Sequence, residues 1–388
     1  MEIPMDVVTE EILTRLPVTS VMRFKCVSKL WSSLMSSRYF NNRFMTAPIS
    51  RPHRGIYMCL QDFSDYRNSV TLSLAPDTTS SFAVDHNQTV TQKGWYMHQN
   101  LGGFMCYVLL ARPRFYNPAT RKLVTLPSPI KFSNLIRESS PDKASNKVPK
   151  CYFGHDPVND QYTVLFSIGV YVNSPLGFLT VRSEHQVFVI KPNKGGSWKK
   201  VAPPPGFRPH IPAEGGVCID GVIYYLGWYG ADFCMLVSFH VRSQDFKTIF
   251  LPRREPPVTH VEKLSLIEYG GKATIIDQTS LTDKGRLDLL AVEGSKWLRK
   301  TRHLKPSQLH LVDKNTIFHV KGTTQDGKVF FIPPDLLSPF HILSYDIQSN
   351  DMRKIDIKGV PDHWFSKDKS TVELVLADQI ESLAYLET

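Results

Sequence analysis

The chain has 388 residues, 42% apolar and 21% charged, with a formal net charge of +10. This composition supplies ample core for two or three domains, or for one large barrel or propeller. No apolar run reaches the length of a membrane span, and no basic segment with an apolar core follows the first residue. Neither a membrane protein nor a secretory signal is therefore expected.

The six cysteines, Cys26, Cys59, Cys106, Cys151, Cys218 and Cys234, are scattered. None forms a CxxC pair or lies at ligand spacing from a histidine, which argues against a zinc site and a disulfide framework. A reducing compartment, cytoplasmic and/or nuclear, is the expected home. The positive charge is dispersed in short pairs such as Lys199-Lys200, Arg253-Arg254 and Arg299-Lys300. A dense basic arm is missing, so a nucleic-acid partner is disfavoured and an acidic or phosphorylated protein partner fits better.

The first stretch, Ile3 to Phe44, is helical by pattern. Val7, Val8, Ile12, Leu13 and Leu16 form an apolar stripe interrupted by Glu10, Glu11, Thr14 and Arg15. Acidic residues lead and Arg15 trails, the order that a helix dipole favours, and Pro17 ends the segment. Thr19 or Ser20 is expected to cap a second helix carrying Val21, Phe24 and Val27, and Ser28 a third carrying Trp31, Leu34 and Met35. Three helices this short cannot bury so much apolar surface among themselves. Either they pack on the rest of the chain as a cap, or the surplus surface meets a partner.

The run IPMDVVTEILTRLPVTSVMRFKCVSKLWSSL resembles an F-box along its whole length, including Leu16-Pro17 and Cys26-Val27-Ser28-Lys29-Leu30-Trp31. The usual leading leucine is Ile3 here. The resemblance implies docking of a Skp-family adaptor and, through it, a cullin and a RING subunit. It assigns the adaptor-facing surface to Ile3, Pro4, Val7, Ile12, Leu13, Leu16, Pro17 and Val18. Val21, Cys26, Val27 and Trp31 are expected to combine internal packing with the remaining contact. Apolar anchors in a groove supply the energy in such recognition.

Residues 47–93 read as a connector with short strands, because Ser64 to Ser81 is rich in Ser, Asp and Thr. Beyond Gly94 the strands become regular. One unit recurs: aromatic, Asn/His/Asp, two residues, Ser/Thr, two residues, Leu/Phe/Met. It fits Tyr116–Leu123, Phe239–Phe246 and Tyr345–Met352, while His155–Tyr162 departs in part. Each is a strand end, a polar turn and re-entry into a strand. Two further hairpins lead to Trp198-Lys199-Lys200 and Trp297-Leu298-Arg299. Together the marks fall near residues 116, 155, 190, 239, 291 and 345, close to the roughly 40–50-residue period of a four-stranded blade. The expected fold is mainly β with a small α domain: a three-helix module and a propeller-like domain of about six blades, with a large β-sandwich as the alternative.

A second resemblance rests on Tyr116-Asn117-Pro118, Phe153 to Tyr162, Cys218 to Tyr225, Val237 to Ser243 and Gly322 to Lys328. In that order they are similar to the F-box-associated interaction domain of a large family of plant proteins. The expected organisation is therefore F-box at 1–46, connector at 47–93 and associated β domain at 94–388. The C-terminal stretch Thr371 to Leu386 either completes the last blade or supplies a strand that closes the ring.

No HExxH, Gly-x-Ser-x-Gly, Walker loop or GxGxxG occurs, and the glycine pairs fit tight hairpins. No metal, cofactor or catalytic residue is expected. The resemblances imply a non-catalytic substrate receptor of a Skp-cullin-F-box ubiquitin ligase, which raises the effective concentration of a target protein near the conjugating enzyme. A scaffold that binds the adaptor without delivering a target for degradation is the alternative. Arg112, Arg114, Trp228, Tyr229, Trp364 and Phe365 are candidate target contacts by residue type, with packing between blades as the competing role.

Overall fold

A computed structural model describes residues 7–16, 18–37, 39–40, 43–44, 55–62, 69–78, 80–91, 96–118, 120–137, 149–173, 179–190, 196–229, 233–252, 263–312, 318–324, 327–333, 336–365 and 378–379. The helical module starts with a π turn, Val8–Ile12, in which the Leu13 N–H reaches the Val8 carbonyl, and tightens into a 3-10 turn, Leu13–Arg15. Leu16 is extended, as a residue before proline prefers. Two α-helices follow, α1 (Val18–Phe24) and α2 (Lys29–Ser36). Ser28 caps α2 as expected, accepting from the Trp31 N–H at 3.2 Å. Thr19 and Ser20 lie inside the first turn of α1 rather than ahead of it.

Among the described residues, the remainder forms a ring of six four-stranded blades. Blade 2 runs from Tyr96–Leu101 to Lys122–Thr125, and blade 3 from Lys150–Asp156 to Lys199–Lys200. Blade 4 spans Ile211–Ile219 to Asp245–Phe250, blade 5 Leu264–Tyr269 to Lys296–His303, and blade 6 His319–Thr323 to Asp351–Lys358. Blade 1 takes three strands from before all of these, Gly55–Gln61, Ser69–Thr78 and Ser81–Thr91, and its fourth from Asp378–Gln379. That last strand pairs antiparallel with Gly55 and Ile56, so the C-terminal stretch closes the ring. A second closure lies outside it, where Ile357 of blade 6 pairs in parallel with Phe82 of blade 1.

The expected connector is therefore a blade. Its polar middle strand hid it: Ser69, Thr71 and Ser73 are buried and alternate with Val70, Leu72 and Leu74. The Thr71 hydroxyl lies 3.0 Å from the Tyr107 hydroxyl of blade 2, which satisfies a buried polar group from the neighbouring blade. The marks at 155 and 190 share blade 3, so the sequence count reached six while dividing the chain differently. A two-layer sandwich is not what forms.

The repeated turn has a common chemistry. Its sixth residue takes a left-handed conformation in all four copies: Arg121, Asp160, Gln244 and Asn350, with φ of 56, 51, 60 and 54°. Its second residue accepts from a turn N–H. Asn117 takes that of Thr120 at 3.2 Å, Asp156 that of Val158 at 3.0 Å, His240 that of Ser243 at 3.2 Å and Asp346 that of Gln348 at 2.8 Å. Three copies join the third and fourth strands of blades 2, 4 and 6; the partly matching one joins the first two strands of blade 3.

The core sits in the joints between blades. Phe104, Phe115, Phe153 and Tyr162 meet edge to face between blades 2 and 3. Tyr152 stacks on Tyr225 between blades 3 and 4, at 4.2 Å and 17°. Such contacts add specific geometry to the burial that drives packing.

Candidate functional site

Leu13, Val21, Met35, Phe40 and Phe44 form the interior of the helical module. Leu13 is 1% exposed and Val21 0%, so both act by packing. Leu13, expected on the adaptor-facing surface, lies in this interior beside Val21 of α1 and Met35 of α2. Trp31 is half-buried and stacks on Phe24 at 5.4 Å, and Leu16 is half-buried beside the same core. An ion pair joins Glu11 and Arg15 on the exposed side.

Around this core, several apolar side chains among the described residues stand exposed. Val7 is 44% exposed, Ile12 42%, Val27 65% and Leu30 65%. Leu30 was not among the sequence candidates, because it flanks Trp31 and falls off the stripe that Trp31 shares with Leu34 and Met35. Its signal is that an apolar residue occupies the outward face of a short helix. Val18 opens α1, while Ile3, Pro4 and Pro17 lie outside the described residues.

In the β domain the candidate target contacts separate. Trp228 and Trp364 are buried, at 5% and 3% exposure, and Phe365 packs on the blade 1–blade 6 core. These aromatics belong to the joints. Arg112 and Arg114 lie on a strand, Arg112–Asn117, and not in a loop. Tyr229 is half-buried, and the Arg208 guanidinium lies over both its ring, at 5.8 Å, and that of Phe250, at 5.4 Å. Phe250 is 48% exposed and Phe233 56%.

Charge in the β domain is used to tie turns and strands together. Arg242 in the blade 4 turn donates twice to Asp156 in the blade 3 turn. Those bonds, more than the opposing effect of burial, hold the Asp156 carboxyl well below the usual carboxylate range. Burial raises the Asp288 carboxyl, but hydrogen bonds from Arg299, Thr301 and Arg286 outweigh it and bring it down to about 2. Among the described residues no group of three or more His, Cys, Asp or Glu is placed to hold a metal ion.

A short helical module with exposed apolar side chains, followed in sequence by a ring of four-stranded blades, defines a two-domain protein of the β-propeller class. The comparisons agree with that class and narrow it. Residues 5–43 match the F-box domain, and residues 56–380 match the F-box associated beta propeller domain. The chain belongs to the family of F-box proteins that carry this associated propeller. It is 42% identical to an F-box/LRR-repeat protein of Arabidopsis thaliana, over 97% of this chain and 86% of that one. An F-box protein from the same plant is 40% identical over 100% and 94%, and an F-box/kelch-repeat protein 36% identical over 99% and 90%.

Proposed function

We propose that this chain is a non-catalytic substrate-recognition subunit of a Skp-cullin-F-box ubiquitin ligase. The F-box binds a Skp-family adaptor, and through it cullin and RING subunits; the propeller holds a target protein. The observation that carries the reading is the uncovered apolar set Val7, Ile12, Val27 and Leu30, set around a closed helical core within a matched F-box. A short helical unit that already has its own core does not need those side chains for folding, and apolar anchors are what groove recognition uses. Ile3, Pro4, Pro17 and Val18 are assigned to the same face by the family resemblance.

The test is co-purification of the full chain with a Skp-family adaptor, beside Ile12→Ala/Val27→Ala/Leu30→Ala. Retention of the adaptor by the wild type and its loss by the variant, with unchanged circular dichroism, supports the reading. Equal retention by both removes these residues from the interface, and no retention by either removes the receptor function.

A further inference from the structure

The outer strands of blades 5 and 6 are both eight residues long and both basic, yet they differ in what they meet. Asp351–Lys358 of blade 6 buries Met352, Ile355 and Ile357 and pairs with the outer strand of blade 1. Its cations face acids: Arg353 meets Asp351 at 2.6 Å, Lys354 meets Asp356 at 3.5 Å and Lys358 meets Asp77 at 2.7 Å. Lys296–His303 of blade 5 has no buried residue and stands at the end of its sheet. It carries Lys296, Arg299, Lys300 and Arg302 and no acid. The two carboxylates of the adjoining strand are already engaged, Asp288 by Arg286 and Arg299, and Glu293 by Lys272. Positive charge is therefore left over along this edge.

The register fixes which backbone groups face outward. Gly294 and Ser295 form a two-residue hairpin closed by the Glu293–Lys296 pair, and beyond the strand the Leu304 N–H reaches the Gly285 carbonyl at 2.8 Å. Even-numbered residues of the strand thus bond inward, and Trp297, Arg299, Thr301 and His303 turn their N–H and C=O groups out. The Asn350 side chain takes the His303 carbonyl at 2.8 Å, in keeping with that direction. Trp297, Arg299 and Thr301 remain as an edge that no other described strand pairs. Side chains alternate in the same way. Lys296, Leu298, Lys300 and Arg302 share one face, where Leu298 is 48% exposed between the two lysines and Arg302 also donates to the Ile347 carbonyl at 3.2 Å.

We infer that this edge binds an extended acidic segment of a partner protein, which joins blade 5 as an added strand. Its carboxylates, at alternate positions, face Lys296, Lys300 and Arg302, and one aliphatic residue among them faces Leu298. The inference deepens the receptor reading, on which it rests for its biological sense, by assigning the target a surface and a chemistry. In strand addition the main-chain bonds supply affinity and the alternate side chains supply selectivity. Lysine on a free edge also discourages pairing between copies of one chain, and the charge that repels a basic copy attracts an acidic strand. A nucleic acid would answer the charge but neither the open backbone groups nor Leu298.

The probe is a fluorescein-labelled, end-capped peptide, Glu-Thr-Glu-Thr-Val-Thr-Glu. Laid antiparallel, it sets glutamates opposite Arg302, Lys300 and Lys296 and valine opposite Leu298. It is titrated with the full chain, co-expressed with its adaptor, and followed by anisotropy. Saturable binding that weakens with added salt is expected. Lys296→Thr/Lys300→Thr, at exposed positions, should weaken it about tenfold. Proline at the peptide's central threonine removes the N–H that would meet the Arg299 carbonyl, and should weaken binding as much with no change of charge. Absence of saturable binding overturns the inference and leaves the lysines as guards of the edge. Equal binding by the lysine variant, or of the proline peptide, overturns it too, as does tighter binding of a single-stranded DNA of the same length. Adaptor retention by the same preparations separates the two ideas. Retention without peptide binding sinks the edge alone, and peptide binding without retention sinks the receptor function and leaves the edge.

Discussion

Arg242 grips Asp156 across the joint between blades 3 and 4, with Nε at 3.1 Å from Oδ2 and Nη2 at 2.7 Å from Oδ1. Asp156 has a side chain only 5% exposed and also accepts from the Val158 N–H, so one carboxylate both shapes its own turn and holds the next blade's. Bidentate pairing of this kind adds direction as well as attraction.

Asp156→Asn should keep the turn and lose the grip, lowering the melting temperature at neutral pH. The wild-type carboxyl is depressed by folding, so its contribution is present above the unfolded value of about 4 and fades as pH falls below it. Thermal melts of the two proteins should therefore converge as the solution is acidified. A constant difference at all pH values would show that the loss is one of packing.

A second joint effect involves histidines. His185 and His210 are buried and stacked at 5.4 Å, with His210 Nε2 at 3.0 Å from the Tyr225 hydroxyl and His185 Nδ1 at 3.0 Å from the Ser167 hydroxyl. Burial pushes His210 down to about 4, and burial with the charge of its neighbour lowers His185 as well. Between the unfolded value of about 6.5 and the folded one, the unfolded chain binds the proton that the folded chain refuses. Stability should then fall by on the order of 2–3 kcal/mol as pH drops through that window. Denaturant melts of His210→Gln should show a flatter slope there. The pocket is tight: a Cβ at Gly227 would sit 2.7 Å from His210 Cδ2, so Gly227→Ala should destabilise the joint at every pH.

The hairpin at Leu110 and Ala111 places two non-glycine residues in left-handed conformation, at φ of 50 and 55°. Leu110 is 70% exposed, so its side chain offers no burial in return. Leu110→Asn/Ala111→Gly should stabilise the chain by about 1–2 kcal/mol, read as a shift in denaturant midpoint with unchanged slope. An unchanged midpoint would mean that the turn carries no strain.

Within the helical module, packing and recognition should separate by mutation. Leu13→Ala opens the core and should cost about 2–5 kcal/mol, seen as lost helicity or faster proteolysis of the module. Ile12→Ala, at the neighbouring exposed position, should leave both unchanged. If Leu13→Ala proves harmless to the fold, Leu13 is not the core residue that its burial indicates.

Much of this protein was legible before any coordinates. The F-box run, the cap by Ser28, the polar turn unit and the propeller class all depend on near neighbours in sequence, where residue type dictates capping, left-handed turns and strand alternation. Leu13 shows where such reasoning stops. An apolar stripe does not tell which of its members meet the module's own core, and Leu13 is buried there among Val21, Met35, Phe40 and Phe44. Blade 1 stayed hidden because Ser69, Thr71 and Ser73 look like loop residues until a neighbouring blade supplies partners for them.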